Sequence, residues 1–216
     1  MPIKYVLFDH DGTLLSTLAV RSRSLEHAMR EVMGREIDGE AVFAETHGQS
    51  LYELGAYLTD NDAAKMEALV TAYRAHYYVA NQAGFDPYDG IPETIGELHA
   101  RGIPMAVVTS KKREGAHDEL TGCGLAQYFR FMVGSDDVEK HKPNAEPLIQ
   151  AMAAIGADPA QTLMVGDTTA DVGGAKNAGT FSAAAMWGTQ DADELRAAEP
   201  DYLLDDPRQI LDLLET

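Results

Sequence analysis

The sequence predicts an α/β protein: a parallel sheet covered by helices on both faces, with an all-helical insert after the first strand. Three observations carry this reading. Short, nearly unbroken apolar runs recur along the chain, as strands buried on both faces do. Helical periods separate most of them, which is the alternation of a wound parallel sheet. From about Ser16 to Gly84 that alternation stops, leaving only helical periods.

The first run, Ile3 to Phe8, leads into the insert. Its segments LAVRSRSLEHAMREVMG and DAAKMEALVTAYRAHYYVANQAG place apolar residues three and four apart, the spacing of one helix face. Tyr73 and Tyr77 fall on one such face with Tyr78 beside them, an aromatic stripe expected in the core of the insert. FDPYDGIP returns the chain to the sheet. IPETIGELHARG then reads as a helix, with Pro92 in its first turn and Gly102 just past its end. Strand-like runs follow at Pro104 to Thr109 and Phe131 to Gly134, and NAEPLIQAMAAIG is a helix closing on Gly156. Further runs lie at Thr162 to Val165 and, more weakly, Thr180 to Ala185. The expected organisation is a sheet domain of residues 1–15 and 86–216 and a helical domain of residues 16–85, without internal repeats.

Charge narrows the partners. Among 216 residues, 17 Lys and Arg face 35 Asp and Glu, a net charge of -18. That balance argues against nucleic acid and anionic membranes, and it means that an anionic substrate needs a local cation. Cys123 is the only cysteine, which excludes an intramolecular disulfide or a cysteine zinc site and fits a reducing cytoplasm. No apolar run approaches the ~20 residues of a membrane span, and the start resembles no secretory signal. The expectation is a soluble cytoplasmic protein, monomeric or homodimeric.

The chemistry sits where strands end. KYVLFDHDGTLLST places Asp9 and Asp11 one residue apart at the end of the first strand, where extended geometry lets them share a face. Two unit charges ~4 Å apart at an effective dielectric of ~20 repel by about 4 kcal/mol, so this pair requires cations nearby. Gly12 permits a sharp turn. MAVVTSKK puts Thr109 and Ser110 after the second strand, offering a hydroxyl and amides at an expected helix start. LMVGDTTAD puts Asp167 after a later strand with Asp171 one helical turn on, and EKHKPNAEP places Lys142 before Pro143 at a helix entrance.

FDHDGTLLST, VVTSK, the KP of Lys142 and GDTTAD resemble, in order and spacing, the four motifs of the haloacid dehalogenase superfamily. The resemblance covers the whole chain and implies a Rossmannoid core with an inserted α-helical cap of the C1 type. It also implies roles. Asp9 is the expected nucleophile, giving an aspartyl-phosphate, and Asp11 the general acid and then base. Lys142, Thr109 and Ser110 are expected to hold the phosphoryl group. Mg²⁺ is the expected cofactor, on Asp9, the Asp11 carbonyl and Asp167, with Asp171 holding Asp167 or a metal-bound water. Dehalogenases and phosphonatases differ at the Asp11 position, so the resemblance implies phosphate chemistry on a small phosphorylated metabolite.

THGQSLYE resembles the cap loop that selects substrate, making His47, Gln49 and Ser50 the specificity candidates. The motifs place phosphoglycolate phosphatase activity first, with inorganic pyrophosphatase as an alternative. A β-phosphoglucomutase-like mutase is a further alternative, although Leu51 stands where that branch carries a phosphate-gripping arginine. Ala145 stands where proline is common in the third motif. A phospho-accepting receiver also groups acids, a hydroxyl and a lysine at strand ends, but it lacks a helical insert and carries its acceptor apart from the acid pair. Gly122 to Gly124 is not a dinucleotide fingerprint, and His10, His47, His117 and His141 show no metal-ligand spacing.

Overall fold

The computed structural model describes residues 3–46, 49–82 and 84–214. It divides into two compact units, Met1–Ser16 with Asp86–Thr216, and Thr17–Phe85.

The first unit is a six-stranded parallel sheet. Strands β1 (Tyr5–Phe8), β2 (Met105–Val108), β3 (Phe131–Val133), β4 (Thr162–Gly166), β5 (Phe181–Ala185) and β6 (Tyr202–Leu204) lie in the order β3-β2-β1-β4-β5-β6. Every residue of β2 and β4 is buried, which explains their unbroken apolar sequences. Helices α5 (Ile91–Ala100), α6 (Arg113–Gly122), α7 (Glu146–Ile155), α8 (Thr169–Ala178) and α9 (Ala192–Ala197) fill the connections. Leu148, Ala151 and Met152 of α7 pack with Leu7, Val108 and Met164 in one fully apolar cluster. Positive-φ glycines close α5 and α7 as their sequences predict, at Gly102 and Gly156.

Chain order is what positions the site. From β1 the chain steps outward through β2 to β3, then returns to the other side of β1 as β4. This reversal makes the β1/β4 boundary a topological switch point, where a crevice opens outside the carboxyl ends of the strands. Phe8 is in register with Val107 on one side and Val165 on the other. The residues just beyond, Asp9, Thr109 and Asp167, therefore stand along one rim.

The regular elements among the second unit's described residues are all helices: α1 (Leu18–Met33), α2 (Gly39–Glu45), α3 (Leu51–Leu58) and α4 (Ala63–Ala80). Leu25 and Met29 of α1 pack with Phe43, Leu54, Leu69 and Tyr73 as its core. Tyr73 and Tyr77 stack with ring centres 5.6 Å apart, as the stripe predicts. Tyr78, by contrast, is exposed: one residue on from Tyr77 it has turned about 100° round the helix, away from the core.

Two local expectations differ from the structure. The helix after β2 begins at Arg113 rather than at Thr109, because the backbone is still paired beyond the strand. The Thr109 amide donates to the Val133 carbonyl, and the Lys111 carbonyl accepts from the Ser135 amide. Strand β6 had no counterpart among the expected runs: it is three residues long, and Leu203 faces outward.

Candidate active site

Four strand ends deliver the site. Asp9 follows β1 and is buried. A bare carboxylate in that position is costly, and the chain meets the cost with Lys142. The Lys142 ammonium lies 2.7 Å from Asp9 Oδ1 and 2.6 Å from Asp171 Oδ1, and its third donor goes to the Val108 carbonyl at 2.9 Å. All three N–H groups are thus committed, and the side chain is only 4% exposed, so the pairing is shielded from solvent.

These neighbours perturb one another. Burial raises the pKa of Asp9 from 3.8 to about 6; the Lys142 ammonium pulls it back down, while Asp171 and Asp11 push it up. Burial by itself works against the charged Lys142, but the Asp171 and Asp9 carboxylates outweigh it and hold the ammonium above the ordinary lysine range.

Asp167 follows β4 and is also buried; its Oδ1 accepts from the Thr13 hydroxyl at 3.0 Å. Gly12 makes this approach possible. Its φ of +82° is in the left-handed region, and a Cβ there would lie 2.1 Å from Asp167 Oδ2. The same turn is tied from behind, where Trp187 Nε1 donates to the Thr13 carbonyl at 3.0 Å.

Asp171 stands in the same cluster as Asp167. One of its oxygens accepts from Lys142, and the other accepts from the Thr168 amide and hydroxyl at 3.1 and 2.7 Å, at the start of α8. A helix N-terminus is a favourable partner for a carboxylate.

Oxygens of Asp9, Asp167 and Asp171 all lie within 4.8 Å of one another, and all three residues are buried. Three carboxylates against one ammonium leave an excess of negative charge in a set of oxygen donors, which is the chemistry that a hard divalent cation such as Mg²⁺ requires. The residues present therefore fit such an ion.

Asp11 turns a different way. Its Oδ1 accepts from Lys111 Nζ at 3.1 Å, and the same ammonium donates to both oxygens of Glu119, at 2.9 and 2.7 Å. Lys111 ends the VVTSK motif, whose sequence reading assigns roles only to Thr109 and Ser110, and Glu119 on α6 has no sequence signal. The two acids of the first motif thus each face their own lysine.

Thr109 is buried and its hydroxyl accepts from the Lys111 amide at 3.1 Å, while Ser110 is half-buried beside it. In the helical unit, Ser50 is the N-cap of α3: its hydroxyl accepts from the Glu53 amide at 3.4 Å, and the Glu53 carboxylate accepts from the Ser50 amide at 2.8 Å. Gln49 is exposed. His47 lies outside the described residues.

Two acids, a buried lysine and a hydroxyl thus stand together on the carboxyl rim of a parallel α/β sheet. The chain belongs to the haloacid dehalogenase-like hydrolase family, whose model matches residues 6–185. A pyrophosphatase PpaX from Halalkalibacterium halodurans is 36% identical, covering 99% of this chain and 98% of that protein. A second, from Bacillus mycoides, is 35% identical over 99% and 98% of the two chains. Among solved structures, a haloacid dehalogenase-like hydrolase from Streptococcus pneumoniae shares the fold with a TM-score of 0.83, 23% identity and 97% coverage of each chain. A protein from Haemophilus somnus, whose phosphoglycolate phosphatase assignment is itself a prediction, shares it with a TM-score of 0.86, 24% identity and 97% coverage of each.

Proposed function

We propose that this hydrolase is a Mg²⁺-dependent phosphatase that transfers the phosphoryl group of a small metabolite to Asp9 and then to water. The observation that carries the reading is the Lys142 ammonium, bound to Asp9 and Asp171 with Asp167 alongside. A nucleophilic carboxylate meets a phosphate dianion only where fixed positive charge offsets the repulsion.

Asp9 attacks phosphorus through a carboxylate oxygen, and the phosphorus–oxygen bond to the leaving group breaks. Asp11 delivers a proton to that leaving oxygen and then takes one from the water that cleaves the acyl phosphate. Lys142 orients Asp9 and neutralises charge, while the Thr109 hydroxyl and the Ser110 amide bind phosphoryl oxygens. Mg²⁺ would be held by Asp9, Asp167 and the Asp11 carbonyl, with Asp171 retained by Lys142 and Thr168 rather than spent as a ligand. Bound there, the ion would supply neutralisation of the carboxylates and of the phosphoryl oxygens. Substrate choice is assigned to the helical unit, Gln49 foremost.

Pyrophosphate takes first place as substrate, because the full-length relatives at 36% and 35% identity carry a pyrophosphatase name. Phosphoglycolate, the first choice from the motifs, is second, since the structure bearing that name lies at 24% identity and speaks for the fold. The test is turnover of pyrophosphate and 2-phosphoglycolate side by side, with Mg²⁺ and with EDTA. The reading expects Mg²⁺-dependent release of phosphate, faster from pyrophosphate. Activity on neither, or equal rates in EDTA, would overturn it.

A further inference from the structure

We infer that Lys111, locked in place by Glu119, is a positioning residue that orients Asp11 for proton transfer to the leaving group. The inference rests on the proposed phosphatase reading, in which Asp11 is the general acid and base.

Lys111 Nζ donates to Asp11 Oδ1 at 3.1 Å and to the two Glu119 oxygens at 2.9 and 2.7 Å. The Glu119 contacts fix where the ammonium stands, so the bond to Asp11 acts from a set direction. Side-chain exposures of 16, 12 and 5% for Lys111, Asp11 and Glu119 mean that solvent screens this network little.

His10 closes the cluster. His10, just past the end of β1, is fully buried beside Asp11 and Glu119. Its Nδ1 lies 3.4 Å from Asp11 Oδ1 and its Nε2 3.5 Å from Glu119 Oε2, both beyond a formed hydrogen bond. The ring lies between the two carboxylates, while the formed hydrogen bonds to both come from Lys111. His10, Asp11 and Glu119 together also have the look of a cation site. The Lys111 ammonium already bridges its two acids.

A network built only for stability is an inefficient choice, since buried ion pairs are often replaced by apolar groups at no loss. Its value here lies in Asp11. A carboxyl group on two free torsions serves poorly as a proton donor unless something holds it, and general acid catalysis contributes roughly 10²–10⁴-fold when the donor is placed.

Phenyl phosphate and 4-nitrophenyl phosphate test this directly. Their leaving groups are similar in bulk, but the nitrophenolate needs far less protonation. With Lys111→Met, kcat on phenyl phosphate should fall 10- to 100-fold and on the nitrophenyl ester less than threefold, with KM and the Mg²⁺ requirement unchanged. Lys111→Arg should restore most of the loss, and adding Lys111→Met to Asp11→Asn should cost little more. Glu119→Gln should show the same ester dependence in milder form, and it carries the test if Lys111→Met fails to fold. Equal losses on both esters, a change confined to KM, or no loss would overturn the role of Lys111. Activity surviving Asp9→Asn would instead overturn the reading of the site itself.

Discussion

Replacing Asp9 with Asn should abolish turnover and, in the absence of metal, make the protein more stable. Asp9, the proposed nucleophile, is placed at a thermodynamic disadvantage. Burial, then Asp171 and Asp11, outweigh the pull of Lys142 and raise its pKa from 3.8 to about 6. At about 1.4 kcal/mol per pH unit, that rise corresponds to roughly 3 kcal/mol of folding free energy. The native state binds the Asp9 proton more tightly than the unfolded state does. The group's favourable contribution is therefore fully present below about pH 4 and is lost as pH rises through about 6. Asn mimics the protonated acid and leaves Lys142 paired with Asp171. In EDTA at pH 8, Asp9→Asn should thus be more stable than wild type by up to roughly 3 kcal/mol, and the difference should vanish near pH 4. Urea unfolding followed by the fluorescence of Trp187, the only tryptophan, reports on the sheet unit. Saturating Mg²⁺ should reverse the order at pH 8, because the ion stabilises the state that binds it. A variant equal to or less stable than wild type in EDTA at pH 8 would refute the claim that Asp9 is held against its own solvation.

Gly188→Ala should damage the site without touching a reacting group: its Cβ would lie 1.6 Å from the Gly12 carbonyl oxygen, so the turn carrying Asp11 and Thr13 must move. The expected outcome is a loss of about 1–3 kcal/mol in a denaturation curve together with a fall in kcat, and wild-type values for both would contradict it. Gln49→Ala should change the ratio of kcat/KM between pyrophosphate and 2-phosphoglycolate more than it changes hydrolysis of 4-nitrophenyl phosphate. Equal loss on all three would remove Gln49 from substrate choice.

The sheet was legible because its strands are buried on both faces, which writes them into the sequence as bare apolar runs. Tyr5–Phe8, Met105–Val108 and Thr162–Gly166 all lie within a residue or two of the expected segments. Tyr202–Leu204 was not, for the converse reason: an edge strand with one neighbour and an outward leucine has no need of a continuous apolar pattern. The helix start after β2 was misplaced because hydroxyls mark caps in sequence only when the backbone is released to turn. Here Thr109 through Lys111 remains tied to the β3 end by the Val133 and Ser135 contacts.

At the site, what sequence conveys is which groups sit at strand ends, and that sufficed to bring Asp9, Lys142, Asp167 and Asp171 into one cluster from positions as far apart as 9 and 171. It does not convey direction. Asp9 and Asp11 could share a face by strand alternation, yet β1 ends at Phe8, and past that point the period of two no longer binds. Asp11 leaves the shared face for Lys111, a partner 100 residues away, and the lysine's own anchor is on the second turn of a helix with no motif. The repulsion that makes the DHD spacing conspicuous is thus resolved twice. Lys142 answers for Asp9 from one side and Lys111 for Asp11 from the other, so each acid has its own cation, as the proposed division between a nucleophile and a carrier of protons requires.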